Sequence, residues 1–114
     1  MIKIITGIYK ITNKLNSMCY IGQSTHIPRR WSQHKNCLKK NKHYNWKLQK
    51  AWNTYGEENF NWEVIYTCKF YTTLNLDEIE LKYIKKYNSE EKGYNISYWD
   101  KIKRKEQRLN KKVS

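Results

Sequence analysis

Gly7-Ile8-Tyr9-Lys10-Ile11-Thr12, then Asn13-Lys14-Leu15-Asn16-Ser17, then Met18-Cys19-Tyr20-Ile21-Gly22-Gln23 is the stretch on which the fold turns. Its outer parts are rich in Ile, Tyr and Thr, which favour extended backbone, and its middle carries the Asn and Ser of a turn. The pattern predicts a β-hairpin with strands over residues 2–12 and 18–23. A turn centred between Lys14 and Leu15 sets Tyr9 opposite Tyr20 and Gly7 opposite Gly22, all four on one face. The two glycines leave backbone close to whatever lies over that face, with room for a bound group. Ordinary cross-strand aromatic packing accounts for the tyrosines equally well.

Beyond the hairpin the period changes. Pro28 sits where a first helical turn starts, and Ile27, Trp31, His34 and Leu38 follow at helical steps. Tyr44, Leu48, Ala51, Trp52 and Tyr55 repeat that period up to Gly56, a residue suited to a left-handed helix cap. Phe60, Trp62, Val64 and Tyr66 then alternate as one face of a third strand. Asn75 with Glu78 forms a capping-box pattern ahead of Leu76, Ile79, Tyr83, Ile84 and Tyr87, a third helix. The order β-β-α-α-β-α predicts an α+β domain, a small three-stranded antiparallel sheet flanked by helices, over residues 1–97. Residues 98–114 read as a basic tail or linker, with few core candidates.

The chain has 114 residues, enough for one core, and its formal net charge is +13. That excess calls for a polyanionic partner. Nucleic acid suits it better than a membrane, because no run approaches the roughly 18 to 20 apolar residues that span a bilayer. The opening Met1-Ile2-Lys3-Ile4-Ile5 lacks the small-residue cleavage site of a secretory signal. Cys19, Cys37 and Cys68 are odd in number and widely spaced, which argues for a reducing compartment, the cytoplasm of a bacterial or phage-infected cell. His34, Cys37 and His43 lie close in sequence, but no fourth ligand and no paired C-x-x-C spacing supports zinc.

Two places contradict their structural setting, as residues at sites tend to do. Glu80 has Leu76, Ile79, Tyr83 and Ile84 at helical spacings around it, so a helix aims its carboxylate along an apolar stripe. A divalent cation or an arginine would satisfy the charge there, and so would a lysine at the edge of the stripe. Arg30 and His34 are four residues apart on one helix surface. Guanidinium can fork two phosphate oxygens and imidazole exchanges protons near neutral pH, a pairing that suits phosphoryl transfer; a solvated basic face is the plain alternative.

Gly7-Ile8-Tyr9 and Tyr20-Ile21-Gly22 resemble the two signature tripeptides of the GIY-YIG nuclease family, nearest to the catalytic domain of phage and bacterial homing endonucleases. Arg30-Trp31 with His34 resembles the family's first-helix arginine and histidine, His43 falls near a further histidine of some homing enzymes, and Glu80 matches the metal-binding glutamate. Asn95 within Gly93-Tyr94-Asn95-Ile96 resembles the asparagine motif that closes the domain, so the likeness covers roughly residues 6 to 97. Five ordered motifs in one small basic chain make coincidence improbable.

The resemblance implies a metal-dependent endonuclease that hydrolyses phosphodiester bonds in DNA. Tyr9 would be the general base, its pKa brought down by neighbouring cations, because near 10 a tyrosine is a poor base at neutral pH. Glu80 would hold Mg²⁺, for which Mn²⁺ can substitute, Arg30 would clamp a phosphate oxygen, and His34 would relay or donate a proton. Tyr20 and Asn95 would orient water, phosphate or the tyrosine network by hydrogen bonds, and Gly7 and Gly22 would keep the surface open. His43, Lys35, Lys39 and Lys40 are candidate DNA contacts. No small-molecule cofactor is expected, and since no helix-turn-helix or zinc finger follows, a further DNA-binding domain is expected C-terminal to this chain. The rival is a non-catalytic basic nucleic-acid-binding module, in which Trp, Tyr and Lys interleave for stacking and phosphate contact. Glu80 separates the two, because a passive binder gains nothing from a carboxylate that repels phosphate.

Overall fold

The computed structural model describes residues 4–68 and 73–96. Strands β1 (Gly7–Asn13) and β2 (Cys19–Ser24) are followed by helices α1 (Ile27–Lys39) and α2 (Trp46–Tyr55). A 3₁₀ turn (Glu57–Asn59), strand β3 (Phe60–Thr67), helix α3 (Thr73–Tyr87) and a four-residue helix α4 (Ser89–Lys92) complete the order. The strands form one antiparallel sheet in the order β2-β1-β3, the α+β architecture anticipated above. The 3₁₀ turn and α4 were not anticipated, being too short to show a period. Residues 2–3 of the expected first strand and the expected tail 98–114 lie outside the described residues. Among those described, no helix is long and apolar enough to cross a membrane.

The hairpin register differs from the expected one by two residues. Tyr9 pairs with Gly22, Ile11 with Tyr20, and Gly7 with Ser24, so the turn centres between Leu15 and Asn16. Side-chain chemistry in the loop decides this. Asn13 Oδ1 accepts the Leu15 N–H at 3.0 Å and Asn16 Oδ1 accepts the Met18 N–H at 2.9 Å. Ser17 takes φ 64° and donates its N–H to Asn13 O at 2.8 Å. These bonds close a longer loop than a two-residue turn. A slip of two preserves side-chain parity, so Tyr9 and Tyr20 still share a face, as diagonal neighbours with ring centroids 6.3 Å apart.

The glycines do not keep a surface open. A Cβ at Gly22 would lie 2.4 Å from the Tyr9 ring, and one at Gly7 would lie 1.8 Å from the Tyr66 carbonyl oxygen. The room at Gly22 is filled by the tyrosine paired with it, and the room at Gly7 by the close approach of β3.

Each face of the sheet carries its own core. Tyr9, Ile11, Tyr20 and Phe60 pack with Ile27 and Leu38 of α1 and Leu48, Ala51 and Trp52 of α2, and Trp62 and Val64 lie against them. Ile8, Cys19 and Ile21 pack on the other face with Leu76 and Ile84 of α3. A β-bulge divides β3 between the two: Tyr9 pairs with Val64 but Ile8 with Tyr66, leaving Ile65 as the extra residue. Tyr66 therefore joins the α3 core rather than the face of Phe60, Trp62 and Val64, where strict alternation had placed it.

The helix boundaries follow local chemistry. Pro28 stands in the first turn of α1, and Asn45 Oδ1 caps α2 by accepting the N–H groups of Lys47 and Leu48 at 3.0 and 3.1 Å. Tyr44, expected within that helix, precedes it. Gly56 ends α2 at φ 90° and ψ 149°, extended rather than left-handed helical but still on the positive-φ side that favours glycine. Helix α3 begins at Thr73, two residues before the expected cap Asn75, whose side chain lies outside the described residues.

Candidate active site

Helix α1 lies across the face that carries Tyr9 and Tyr20 and sends His34 into it. His34 is buried, with ring centroids 5.7 Å from Tyr9 and 5.6 Å from Tyr20. The Tyr9 hydroxyl and His34 Nε2 are hydrogen-bonded at 2.6 Å. One turn earlier, the half-buried Arg30 is near enough for its positive charge to act on the Tyr9 hydroxyl. Its Nη2 also donates to the Tyr44 hydroxyl at 3.5 Å, a long contact, and the Tyr44 hydroxyl bonds that of Tyr20 at 2.9 Å. The helical spacing of Arg30 and His34 thus places a hydrogen bond and a positive charge on one tyrosine, Tyr9.

Burial sets the protonation of this cluster. It raises the pKa of Tyr9 above its usual value, and the opposing charge of Arg30 does not overcome it. The expectation that cations bring Tyr9 down is thus not met in the free chain, because a phenolate loses more hydration than one guanidinium returns. Tyr20 is raised too, by burial first and then by the neighbouring tyrosines. His34 is lowered to about 3, by burial and then by the charges of Arg30 and His43. At pH 7 it is neutral, so it has no imidazolium proton to give, contrary to the expected role as donor.

Glu80 is buried on α3, and its charge bears on both Tyr9 and Tyr20. Among the described residues no three His, Cys, Asp or Glu gather as a metal cluster. His34 Nδ1 and His43 Nε2 are 2.6 Å apart and Cys37 is exposed, so the zinc ligands weighed earlier do not form a set. A single buried carboxylate, with no soft ligand set around it among the described residues, fits a hard divalent cation that keeps most of its waters.

Asn95 is placed differently from expectation. Its Oδ1 accepts the Ile21 N–H at 2.8 Å and its Nδ2 donates to Ile21 O at 2.9 Å. Next to it, the Tyr94 N–H donates to Cys19 O at 2.9 Å. Residues 94–95 therefore clamp the outer edge of β2, satisfying groups that an edge strand leaves open, and the carboxamide is spent on backbone rather than on water or phosphate. Gly93 permits the approach, since a Cβ there would lie 2.5 Å from Cys19 O.

His43, expected on the DNA-facing surface, is half-buried, meets His34 edge to edge and stacks on Tyr44, at centroid distances of 4.9 and 4.7 Å. Lys35, Lys39 and Lys40 are exposed on or just after α1; Lys35 lies over the Trp62 ring at 4.9 Å, and Lys39 lies 3.8 Å from Glu57. Two members of the site escaped the sequence reading. Tyr44 was counted as apolar helix face, and Asn45 had no role. An Asn directly before an apolar helical run is a cap signal that could have revealed both, by placing Tyr44 in the loop.

A central hairpin that carries Gly7-Ile8-Tyr9 and Tyr20-Ile21-Gly22 under a helix bearing Arg30 and His34 defines a class of small α+β catalytic domains. This chain belongs to the GIY-YIG family: residues 5–95 match the family described as the GIY-YIG catalytic domain. It is 34% identical over 92 residues to the intron-associated endonuclease 1 of Enterobacteria phage T4, covering 81% of this chain and 37% of that protein. It is also similar to a solved structure of the catalytic domain of the homing endonuclease I-TevI, with a TM-score of 0.76 at 34% identity, covering 81% of this chain and 98% of that one. A mutant form of the same catalytic domain gives a TM-score of 0.77 at 33% identity, covering 82% and 95%. The chain spans little more than a third of the curated relative's length.

Proposed function

We propose that this chain is the catalytic domain of a metal-dependent DNA endonuclease, with Tyr9 as general base, Arg30 as phosphate clamp and Glu80 as the residue that holds the metal. The observation that supports it most is the convergence on Tyr9: His34 bonds its hydroxyl, and the charges of Arg30 and of the buried Glu80 both act on it. Arg30 keeps N–H groups for a nonbridging phosphate oxygen, where they oppose the negative charge that builds during attack. Tyr9 is protonated in the free chain and becomes a base only once that proton has passed to solvent water in the loaded site, its oxygen still held by His34 and faced by the charge of Arg30. Tyr20 holds the second hydroxyl through its bond to Tyr44, on the same sheet face as Tyr9. A divalent cation on Glu80 would neutralise phosphate charge and stabilise the leaving oxygen. The +13 charge draws in DNA, and a further DNA-binding domain in the longer protein would choose the site.

The test is incubation of the chain with plasmid DNA in Mg²⁺ and in EDTA, alongside Glu80→Gln. Cleavage in Mg²⁺, none in EDTA, and none by a folded Glu80→Gln that still binds DNA is the expected result. Binding without cutting in Mg²⁺ and Mn²⁺ would instead identify a passive nucleic-acid-binding module.

A further inference from the structure

The histidine pair behind Tyr9 has its protons assigned by a backbone group. The Asn45 N–H can only donate, and it donates to His43 Nδ1 at 3.0 Å. A ring nitrogen that accepts carries no hydrogen, so neutral His43 has its proton on Nε2. That nitrogen lies 2.6 Å from His34 Nδ1 and donates to it, which makes His34 Nδ1 an acceptor in turn. The one proton of neutral His34 is then on Nε2, and it donates to the Tyr9 oxygen at 2.6 Å.

We propose that His43 is a positioning residue that locks His34 as a neutral Nε2–H donor to Tyr9, so that His34 holds the tyrosine oxygen and does not accept its proton. The proposal rests on the reading of Tyr9 as the base. The Tyr9 oxygen accepts from His34, so its own hydrogen points away from His34, and its proton passes to a solvent water rather than to the imidazole. A donor aimed at that oxygen favours the phenolate over the phenol. A second proton on His34 would have to go to Nδ1, facing the Nε2–H of His43. His43 cannot flip to relieve the clash, because its Nδ1 would then lose the Asn45 N–H. The low pKa of His34 agrees with this locked neutral state.

The surrounding backbone is built to hold the first donor in place. The His43 N–H donates to Gln49 Oε1 at 3.0 Å, and Asn45 Nδ2 donates to Tyr94 O at 2.7 Å while its Oδ1 caps α2. The His43 ring meets His34 edge to edge, nearly coplanar at 19°, and stacks on Tyr44 at 23°. The loop between α1 and α2 thus fixes a tautomer two hydrogen bonds away from its own backbone, and through it the donor to Tyr9 at the third.

Long-range ¹H–¹⁵N correlation spectra of the labelled chain at pH 7 read the tautomers directly. His34 and His43 should both be neutral with Nε2 protonated; a proton on His34 Nδ1 overturns the proposal. His43→Phe keeps the stacked ring and deletes both nitrogens. It should release His34 to a mixture of tautomers and lower kcat about ten- to a hundredfold with KM little changed, the size expected for one hydrogen bond to a charged group. His43→Gln, which returns an N–H near the Nε2 position, should recover part of that loss. A folded His43→Phe that cuts at the parent kcat overturns the proposal while leaving the nuclease reading intact. A parent chain that does not cut sinks the nuclease reading instead, and the tautomers remain measurable. If His43→Phe fails to fold, the parent spectrum and His43→Gln decide.

Discussion

Tyr9 holds its proton more tightly inside this chain than in water, yet its hydroxyl is the point where the site converges. Tyr9→Phe keeps the ring that fills the space at Gly22 and removes only the oxygen. It should lower the cleavage rate by about 10² to 10⁴, the usual worth of a general base, while costing roughly 1 to 3 kcal/mol of stability for the buried partner left unmet. Single-turnover cleavage and urea melts check both, and parent-rate cutting would make Tyr9 core packing alone. His34 gives a prediction for pH. Its folded pKa of about 3 lies below the reference of 6.5, so below pH 6.5 the unfolded chain binds the extra proton and stability falls with pH. The loss is about 1.4 kcal/mol per pH unit at most between 6.5 and 3. His34→Gln should flatten that slope between pH 7 and 5, as read from denaturant midpoints; an unchanged slope would mean that His34 titrates normally.

Strand β2 is an edge of the sheet, and the clamp from residues 94–95 is what closes it. Asn95→Ala leaves the Ile21 N–H and C=O without their side-chain partner, each worth about 1 to 3 kcal/mol when buried and unmet. The expected outcome is a chain less stable by a few kcal/mol whose remaining cleavage tracks its folded fraction, measured by melts and activity at matched temperatures. A variant as stable as the parent but inactive would return Asn95 to the role of orienting water or phosphate. The helices that shape the site were readable as elements because their apolar periods are long. The register of the hairpin was not, because two short loops that differ in centre by one residue suit the same Ile, Tyr and Thr pattern. Asn13 and Asn16 choose between them by bonding their own backbone.

For the whole molecule, the proposed nuclease reading makes excess charge the term that governs its meeting with DNA. Phosphate contacts release counterions without reading bases, so binding should show weak sequence preference and a steep salt dependence. Each phosphate engaged adds about −0.9 to the slope of log affinity against log salt on duplex DNA. Titrations of random duplex at several salt concentrations check this, and a flat response would place the lysines outside the interface.

At that same scale, the sequence by itself determined the α+β class and the helices around Trp31, Leu48 and Ile84, and it nominated Tyr9, Tyr20, Arg30, His34 and Glu80 as candidates for the site. Periodicity and side-chain chemistry are local properties, and face parity survives a slip of two residues. Tertiary structure alone decided that Asn95 clamps Ile21, that the room at Gly7 and Gly22 is filled by protein, and that His43 turns inward against His34. Tyr66 was assigned to the α3 core by a bulge, which alternation in a strand cannot announce. These are matters of which groups meet across long stretches of chain, and of how much water the meeting removes. That is why the sequence could name a tyrosine base and a proton-donating histidine, while burial raised the pKa of Tyr9 and left His34 neutral.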